Sequence, residues 1–456
     1  MSTEVDVVVV GLGPGGEYLA TQLAAAGLEV VGVDRRLVGG ECPYFGCVPT
    51  KMMIRGADLL AEGSRIPEMS GVSSVTPDWT LVATRISEEA TDGWNDQVAV
   101  DRLVKAGVTF VRGHARLAGP GRVEVEGQTF EARRGVVLNT GTEPAVPPIP
   151  GLDGAPYWTN RDAVRLEQLP GSLIVVGGGS VGVELAQVFS RFGVGVTLVE
   201  TAERILAAEE PESSELLART FDAEGIEVVT GASISSVAYA DDRFTVTVDG
   251  SALQADRLLV AAGRRTNLGE LGLETMSIDP SSKALATDEQ MRAAPGLWAI
   301  GDITGEGGYT HVSMYQAGIA VAAILGSDDA PTADYRAVPR VTFTDPEVGS
   351  VGMTEHRARD AGLRVRVGVT DLATSSRGWI HKAGNAGLIK LVEDADRGVL
   401  VGASSVGPSG GEVLSALSVA VHGEVPTKRL RSMIYAYPTF HRAIEAALQE
   451  LARDRD

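Results

Sequence analysis

The protein has 456 residues, of which 44% are hydrophobic and 22% are charged. Because this length exceeds what one hydrophobic core supports, we expect a globular protein of two to four domains. A formal net charge of -20, spread along the chain, argues against nucleic acid as a partner. Two cysteines exclude a secreted disulfide framework, and no basic leader or long apolar run is visible, so we expect a cytoplasmic protein without a membrane segment.

The first predicted elements form a βαβ unit. Residues 5–10 are an unbroken apolar run, typical of a buried parallel strand. A helix is predicted from Gly15 to Ala26, with Gly27 directly after it, and the next apolar run ends at Asp34. Strand, helix and strand in this order predict one half of a nucleotide-binding sheet.

The loop between this strand and helix, GLGPGG, has the G-x-G-x-x-G spacing, with its glycines at Gly11, Gly13 and Gly16. The first glycine allows a tight turn, the second lets the backbone approach a pyrophosphate, and the third permits close helix–strand packing. Asp34 then lies where a carboxylate can bind ribose hydroxyls. A purely structural turn is the alternative, but the strand, the helix, the second strand and the acidic end are all present.

The same pattern returns near residue 173. A second loop, GGGSVG, supplies Gly177, Gly179 and Gly182, and the strand after its helix ends at Glu200. A carboxylate there accepts from the 2′-hydroxyl of NAD and repels the 2′-phosphate of NADP, so we expect NADH to be preferred over NADPH. The alternative is that Glu200 is a solvated strand end. Two such units indicate a relay in which one nucleotide stays bound and the other delivers hydride.

The other segments differ in character. Residues 143–151 are proline-rich and predict an extended linker. Residues 226–250 include an alternation of polar and apolar residues, which predicts hairpin strands. From about Pro339 the sequence combines β-rich stretches with helical periodicity, which indicates a third, α+β domain without a glycine-rich loop.

Five motifs in order carry a resemblance to a known family: GGECPYFGCVPTK (39–51), LNTGTEP (138–144), LLVAAGRRTN (258–267), LWAIGDIT (297–304) and FTDPEVGSVGMTE (343–355). They resemble the redox-active segment, the flavin-adenosine loop, the end of the NAD domain, the second flavin motif and the start of the dimerisation domain of class I pyridine nucleotide–disulfide oxidoreductases. This family includes dihydrolipoyl dehydrogenase, glutathione reductase and mercuric reductase. The resemblance covers essentially the whole chain.

The resemblance implies an α/β fold with two Rossmann-like dinucleotide-binding domains, for FAD and NAD(P), and a C-terminal α+β dimerisation domain. The implied boundaries are 1–150 for the first part of the FAD-binding domain, 151–269 for the NAD(P)-binding domain, 270–337 for the second part of the FAD domain and 338–456 for the dimerisation domain. It also implies tightly bound FAD, one per subunit, and a homodimer whose active sites are shared between subunits.

Individual residues follow from the same resemblance. Asp302 matches the position that contacts the flavin ribityl chain, and His311 loosely matches a position near the flavin pyrimidine ring. Further flavin- and nucleotide-binding positions are Thr140, Gly141 and Gly263 in the motifs quoted above.

Lys51, at the end of the redox segment, matches a lysine that lies near flavin N5 and pairs with a glutamate, here Glu184. Because burying either charge alone is costly, we expect the two to be kept or lost together. An ordinary surface ion pair is the alternative.

Cys42 and Cys47 are the only cysteines, and a structural staple, a metal site and a redox couple compete to explain them. Residues five apart on an ideal helix rise about 7.5 Å, beyond the roughly 7 Å over which two Cα atoms can be bridged. A disulfide here therefore needs a distorted helix start, for which Gly46 supplies backbone freedom. A staple would close a longer loop, and a metal site lacks partner ligands, so the redox couple is favoured. By resemblance, Cys42 attacks the substrate and Cys47 lies against the flavin.

The sequence departs from the family near its C-terminus. Disulfide reductases of this family carry H-P-T-x-x-E, in which the histidine exchanges protons with the substrate thiol and the glutamate orients it. Here the segment is YPTFHR, so Tyr437 stands at the histidine position and Arg442 at the glutamate position. His441 and Glu445, at helical i, i+4 spacing, could form a displaced pair, or could simply support the dimer.

We therefore expect an NAD(P)H-dependent, FAD-containing reductase of a small disulfide whose leaving thiolate or thione needs little acid–base help. Mercuric reductases also have tyrosine at this position, by resemblance, but their additional cysteine pair is missing here because the sequence has only two cysteines. A dihydrolipoyl dehydrogenase, an NAD(P)H:quinone reductase and a metal-ion reductase are the alternatives, and a non-catalytic redox sensor is a further one.

Overall fold

The computed structural model describes residues 2–453, which form two compact units. The first unit contains the described residues through Thr50, together with Ala83–Ala145 and Gly263–Asp334. The second contains Lys51–Val82, Val146–Ala262 and the described residues from Tyr335 onward.

The strands are β1 (Ser2–Val10), β2 (Val30–Asp34), β3 (Thr109–Arg112), β4 (Ala115–Leu117), β5 (Arg122–Val125), β6 (Gln128–Leu138), β7 (Glu143–Pro144), β8 (Ser172–Val176), β9 (Gly195–Val199), β10 (Glu227–Val229), β11 (Ile234–Ala240), β12 (Arg243–Val248), β13 (Ser251–Ala255), β14 (Arg257–Val260), β15 (Arg264–Arg265), β16 (Arg292–Ala294), β17 (Leu297–Ala299), β18 (Pro339–Thr342), β19 (Glu347–Gly352), β20 (Val365–Asp371), β21 (Leu388–Asp394) and β22 (Val399–Gly407).

The α-helices are α1 (Pro14–Ala25), α2 (Glu41–Tyr44), α3 (Cys47–Met69), α4 (Trp79–Arg85), α5 (Gln97–Lys105), α6 (Asn160–Ala163), α7 (Ser180–Arg191), α8 (Pro211–Ala223), α9 (Thr310–Leu325), α10 (Glu355–Asp360), α11 (Ser376–His381), α12 (Gly410–His422), α13 (Thr427–Arg431) and α14 (Ala443–Arg453). Shorter helical turns are a π-helix at Ile86–Ala90 and 3₁₀-helices at Leu268–Glu270, Leu273–Met276, Gly301–Thr304 and Phe440–Arg442.

The first unit is built on a sheet with the strand order β16-β17-β6-β1-β2-β3, parallel from β17 to β3, and β5 pairs with β6 while β4 pairs with β5. The apolar run predicted for the first strand is buried, since Val7, Val8 and Val9 have no exposed surface. A strand covered on both faces needs such an unbroken apolar run. Leu19 and Leu23 of α1 pack into the same core as Ala317 and Ala320 of α9.

The second unit holds a parallel sheet of order β10-β9-β8-β14, which α7 follows directly after β8. The alternating segment predicted as hairpins forms the antiparallel sheet β11-β12-β13, as expected. Phe244 and Val246 of β12 are fully buried and share a core with Ile174 and Val176 of β8.

The C-terminal part of this unit confirms the predicted α+β character. An antiparallel sheet has the order β18-β19-β22-β21-β20. Its core includes Leu391 of β21, Leu414 and Leu417 of α12 and Leu448 of α14. The fold is therefore α/β with an α+β C-terminal part. Across residues 2–453, each helix is too short or too polar to cross a bilayer.

Candidate active site

The first glycine loop has the geometry of a dinucleotide-binding turn. Gly11 has φ +93°, and a methyl group there would lie 2.3 Å from the backbone oxygen of Asn139. At Gly16 it would lie 2.1 Å from the backbone oxygen of Gly11, so helix and strand touch here. At Gly13 the nearest atom would be the amide nitrogen of the Asn139 side chain at 3.4 Å, which leaves the backbone approachable. The contacts at Gly11 and Gly16 therefore require glycine, and the space at Gly13 fits the approach of a pyrophosphate.

Asp34 braces this loop from the end of β2. Its carboxylate accepts from the backbone N–H of Leu12 at 2.7 Å and from that of Arg36 at 2.7 Å. Burial raises the pKa of Asp34, and these two hydrogen bonds oppose the shift. Gly13 caps α1 without a side-chain oxygen, so the first N–H groups of the helix point toward the position of an anion. These residues fit the pyrophosphate and ribose of a dinucleotide.

Asn139, which the sequence argument did not single out, joins three motifs of the first unit. Its side-chain amide donates to the carbonyl of Gly11 at 3.1 Å, and its side-chain oxygen accepts from the hydroxyl of Ser313 at 3.2 Å. A methyl group at Gly301 would lie 2.8 Å from that same oxygen. These contacts join segments 128 and 174 residues apart, so no local sequence signal indicates them.

Asp302 lies in the 3₁₀ turn after β17, where its carboxylate accepts from Thr142 Oγ1 at 2.7 Å. Arg264 in turn donates from Nε to Thr142 Oγ1 at 2.6 Å. Gly141 and Gly263 both have positive φ and open space around them, at +65° and +107°. Thr140 is exposed. Among the predicted flavin positions, the Asp302 carboxylate is therefore held by Thr142, and Gly141 and Gly263 leave the space around their backbone open.

His311, matched only loosely by sequence, lies in the first turn of α9 and is exposed. Its ring stacks on that of Tyr309, with 5.3 Å between centroids and an angle of 13° between planes.

The second glycine loop repeats the first. Gly177 has φ +112°, and a methyl group there would lie 2.4 Å from the backbone oxygen of Ala261. At Gly182 it would lie 1.9 Å from the backbone oxygen of Gly177, whereas at Gly179 it would meet no atom within 4 Å. The open glycine is therefore again the middle one.

Glu200 has the same relation to this loop as Asp34 has to the first. Its carboxylate accepts from the N–H of Gly178 at 2.5 Å and from that of Ala202 at 2.7 Å. Arg204, the one nearby cation in the sequence, donates instead to the carbonyls of Ala207 at 2.9 Å and Glu209 at 2.8 Å. The Nη2 group of this guanidinium is thus bound within its own turn.

The cysteine segment is a break between two helices. Cys42 is half-buried in the short helix α2, and Cys47 is exposed at the first position of α3. Between them, the N–H groups of Phe45 and Gly46 donate to the carbonyl of Glu41 at 2.8 and 2.7 Å. A methyl group at Gly46 would lie 3.2 Å from that oxygen, so the glycine serves a close backbone approach. The predicted interruption of helical geometry is present.

Neighbours of this segment fix both its ends. The Sγ atom of Cys47 lies 3.7 Å from Oγ1 of Thr310, at the start of α9. The indole N–H of Trp94 donates to the carbonyl of Tyr44 at 3.2 Å. Tyr44 itself is 7% exposed, and burial raises the pKa of its phenol. The residues between the two cysteines therefore include one core side chain, that of Tyr44.

Lys51 and Glu184 are brought together as the resemblance implied. Lys51 Nζ donates to Glu184 Oε2 at 2.7 Å, with the lysine side chain 35% exposed and the glutamate 6% exposed. The other carboxylate oxygen accepts from the N–H of Phe343 at 2.8 Å. The ammonium lies 4.7 Å from the centre of the Phe343 ring, within cation–π range. Both carboxylate oxygens of Glu184 therefore accept a hydrogen bond. The Lys51 ammonium has three N–H groups, so it can also donate to a further group.

Tyr437 is 67% exposed, next to the guanidinium of Arg442, which lies 5.5 Å from the phenol ring centre. Arg442 also pairs with Glu445 at 3.1 Å. His441 contacts the ring of Tyr435 instead, with 6.0 Å between centroids. The structure therefore does not assemble the displaced His441–Glu445 pair, because Arg442 takes the carboxylate.

Within residues 2–453 no group of three or more His, Cys, Asp or Glu side chains could hold a metal ion. A family model described as pyridine nucleotide-disulphide oxidoreductase matches residues 5–321, and the dimerisation domain of that family matches residues 338–448. The chain belongs to the pyridine nucleotide-disulphide oxidoreductases.

Members of this family are similar to nearly the whole of this chain. A dihydrolipoyl dehydrogenase from Chlorobaculum tepidum is 36% identical, with 99% of this chain and 98% of the relative aligned. A mercuric reductase from Acidithiobacillus ferrooxidans is 31% identical, with 99% of this chain and 83% of the relative aligned.

Two solved structures are also similar to this chain. The HOCl-induced flavoprotein disulfide reductase RclA from Escherichia coli has a TM-score of 0.86 at 26% identity, covering 97% of this chain and 99% of that one. LpdA from Mycobacterium tuberculosis has a TM-score of 0.85 at 27% identity, covering 98% of this chain and 100% of that one.

As a pyridine nucleotide-disulphide oxidoreductase, this protein is an FAD-dependent enzyme of disulfide chemistry, and its C-terminal domain indicates a homodimer. The first glycine loop, Asp34 and Asp302 are the residues that would hold FAD. The two family-model matches agree with the predicted fold class.

Proposed function

We propose that this enzyme uses NADH to reduce a small disulfide, or a related acceptor, whose leaving thiolate or thione is already stable. The observation that carries the proposal is a mismatch inside one family motif. The cysteine pair and the Lys51–Glu184 pair of a disulfide reductase are retained, but tyrosine stands at the histidine position.

The choice of NADH rests on the second glycine loop. Glu200 accepts from two backbone N–H groups and turns its negative charge toward the end of the strand, where it opposes a 2′-phosphate. Arg204 supports the same choice, because two backbone carbonyls already occupy its Nη2 group.

In the proposed reaction, the thiolate of Cys42 attacks one sulfur of the substrate disulfide, forming a mixed disulfide and releasing one thiolate. Cys47 then attacks Cys42, which releases the second substrate thiol and leaves a Cys42–Cys47 disulfide. Bound FAD would supply the two-electron redox chemistry that links reduced nicotinamide to this disulfide. Cys47 at the first position of α3 and Lys51 one turn later both favour a thiolate.

Because Tyr437 stands at the histidine position, the proposed reaction lacks an imidazole that could accept and donate the proton. A phenol is a weak base near neutral pH, so it cannot deprotonate Cys42 as an imidazole does, although its hydroxyl can donate a hydrogen bond. A substrate whose thiol is acidic leaves as a thiolate without a proton. We therefore assign Tyr437 of one subunit to hydrogen bonding at the partner's cysteine pair, and the substrate to this acidic class.

The test is a series of disulfides with leaving thiols of graded acidity, assayed with NADH. We expect kcat/KM to rise with the acidity of the leaving thiol, and Tyr437→His to improve only the poor leaving groups, by about a hundredfold. Tyr437→Phe checks the hydroxyl: unchanged turnover of the best substrate rules out a donor role. Equal kcat/KM for lipoamide and for the most acidic disulfide in the wild-type enzyme would contradict the proposal.

Electron transfer to a quinone or a metal ion is the second candidate, favoured by the mercuric reductase relative at 31% identity. Cys47→Ser separates the two. This variant should lose disulfide reduction but keep direct reduction of a quinone. A dihydrolipoyl dehydrogenase activity, which the relative from Chlorobaculum tepidum suggests, is covered by the lipoamide comparison.

A further inference from the structure

One face of α7 continues beyond Glu184 into a row of buried polar side chains. Gln187 and Arg191 follow Glu184 at spacings of three and four residues, which places all three on the same side of the helix. Gln187 is 3% exposed, and the Arg191 side chain is 6% exposed. A row of this kind is costly unless each group has partners.

The first partner is the segment that ends β18 and continues to Asp345. Glu184 accepts from the N–H of Phe343 at 2.8 Å. One turn further along the helix, Gln187 accepts from the N–H of Asp345 at 2.8 Å and donates to its carbonyl at 2.8 Å. The amide side chain of Gln187 therefore holds the backbone of Asp345 at two points, and the same backbone segment orients Glu184.

The second partner is α3, which carries Lys51, Asp58 and Arg65 at seven-residue spacing on one face. Asp58 accepts from Arg191 Nη1 at 2.8 Å, and Arg65 donates to Asp345 Oδ2 at 2.7 Å. Each charge of the α3 row thus meets an opposite charge: Lys51 meets Glu184, Asp58 meets Arg191, and Arg65 meets Asp345.

Asp345 and Arg191 join these pairs to one another. Arg191 Nη2 donates to Asp345 Oδ2 at 2.8 Å and to Glu224 Oε1 at 2.6 Å. Burial opposes ionisation of Asp345, yet Arg191 and Arg65 hold the pKa of this carboxyl below its ordinary value. Removing the carboxylate would leave two guanidinium groups without their shared partner, which is more disruptive than the loss of one exposed pair.

We propose that Gln187, Arg191 and Asp345 are positioning residues that fix Lys51 Nζ by holding α3, α7 and the 343–345 segment in one register. The consequence for catalysis rests on the proposed role of Lys51. The positioning itself depends only on the contacts of Gln187, Arg191 and Asp345, and the position of Lys51 can be tested without substrate.

The experiment uses the FAD-containing enzyme and two variants. Asp345→Asn keeps the backbone contacts with Gln187 but removes the carboxylate, and Gln187→Met removes those contacts while keeping the side-chain volume. The control is Arg366→Gln, which breaks a comparably buried ion pair with Glu393 in the same unit, 2.7 Å long and with side chains 15% and 0% exposed.

Two readouts follow. Amide hydrogen exchange at Asp345 should accelerate about tenfold in Gln187→Met, because that N–H donates to the Gln187 side chain. Modification of Lys51 by an amine-reactive reagent, followed by mass spectrometry, should accelerate as it does in Glu184→Gln. The double variant Asp345→Asn/Glu184→Gln should modify no faster than Glu184→Gln alone, since both changes release the same ammonium group.

Additive effects in the double variant, or an equal acceleration at Lys51 in Arg366→Gln, would overturn the positioning proposal. So would wild-type modification rates in both Asp345→Asn and Gln187→Met. One further result would bear on the proposed function alone. Normal disulfide turnover in Lys51→Met would show that the lysine has no catalytic role, whereas the modification rates of Lys51 would still test the positioning.

Discussion

The two glycine positions Gly179 and Gly182 allow a sharp test of the second nucleotide site, because they are three residues apart and their surroundings differ. A methyl group at Gly179 meets no atom within 4 Å, and this residue has φ -76°, a backbone angle that alanine adopts without strain. A methyl group at Gly182 lies 1.9 Å from the backbone oxygen of Gly177. We predict that Gly179→Ala folds normally but loses NADH binding, whereas Gly182→Ala loses stability.

The magnitudes follow from these contacts. Ordinary contact between carbon and oxygen is reached at about 3.4 Å, so α7 would have to move away from β8 by more than 1 Å to accept Gly182→Ala, and overpacking of this kind costs about 1–3 kcal/mol. Gly179→Ala adds a methyl group only where the pyrophosphate approaches, so we expect NADH affinity to fall at least about a hundredfold while the free energy of unfolding changes by less than about 0.5 kcal/mol.

The assay pairs denaturant unfolding with a direct measurement of the NADH dissociation constant, for example by fluorescence titration. Gly179→Ala with unchanged affinity would refute the assignment of this loop as the nucleotide site. Gly182→Ala with wild-type stability would refute the packing argument. Gly71→Ala controls for general effects of glycine replacement, because Gly71 is exposed, has no positive φ and leaves open space around an added methyl group.

Two further predictions concern single carboxylates. Glu200→Ser should raise KM for NADH about tenfold, because one hydrogen bond to the ribose is lost. It should also reduce the preference for NADH over NADPH. An unchanged ratio of the KM values for NADH and NADPH would contradict the proposed selectivity. Burial, partly offset by Arg191, raises the pKa of Asp58 to about 6, so the folded protein binds this proton more tightly than the unfolded chain does. The contribution of Asp58 to stability is therefore complete below its unfolded pKa of about 3.9 and is lost as the pH rises through about 6. Asp58→Asn should then raise the free energy of unfolding at about pH 8 by less than about 1 kcal/mol, since 36% of the side chain is exposed, and this gain should disappear near pH 4. A loss of stability at high pH would show that the ion pair with Arg191 outweighs burial.

The sequence was most informative where local geometry decides the residue. Gly16 and Gly182 are needed because a side chain would collide with the backbone oxygen of the glycine five residues earlier, and the G-x-G-x-x-G spacing reveals that collision. Gly11 and Gly177 would instead collide with the backbone of Asn139 and Ala261, distant in the sequence, and only the motif indicated them. The apolar run of β1 was equally readable, since a strand buried on both faces needs it.

Contacts between segments that are far apart in the sequence were harder to predict. The pairing of Lys51 with Glu184 was available only through resemblance, because 133 residues separate the two. Asn139 and the Arg191–Asp345 contact carried no local pattern at all. The ion pair between Arg442 and Glu445 shows the opposite problem. The i, i+4 spacing suggested His441 as the partner of Glu445, but the structure pairs Glu445 with Arg442 at i, i+3 spacing.

The central claim is that Cys42 and Cys47 form a redox couple that works together with bound FAD. Anaerobic titration with dithionite or NADH counts the electrons that each subunit accepts. We predict four electrons per subunit for the wild-type enzyme, two for the flavin and two for the cysteine pair, and two electrons for Cys47→Ser. A wild-type enzyme that is fully reduced by two electrons would contradict this claim.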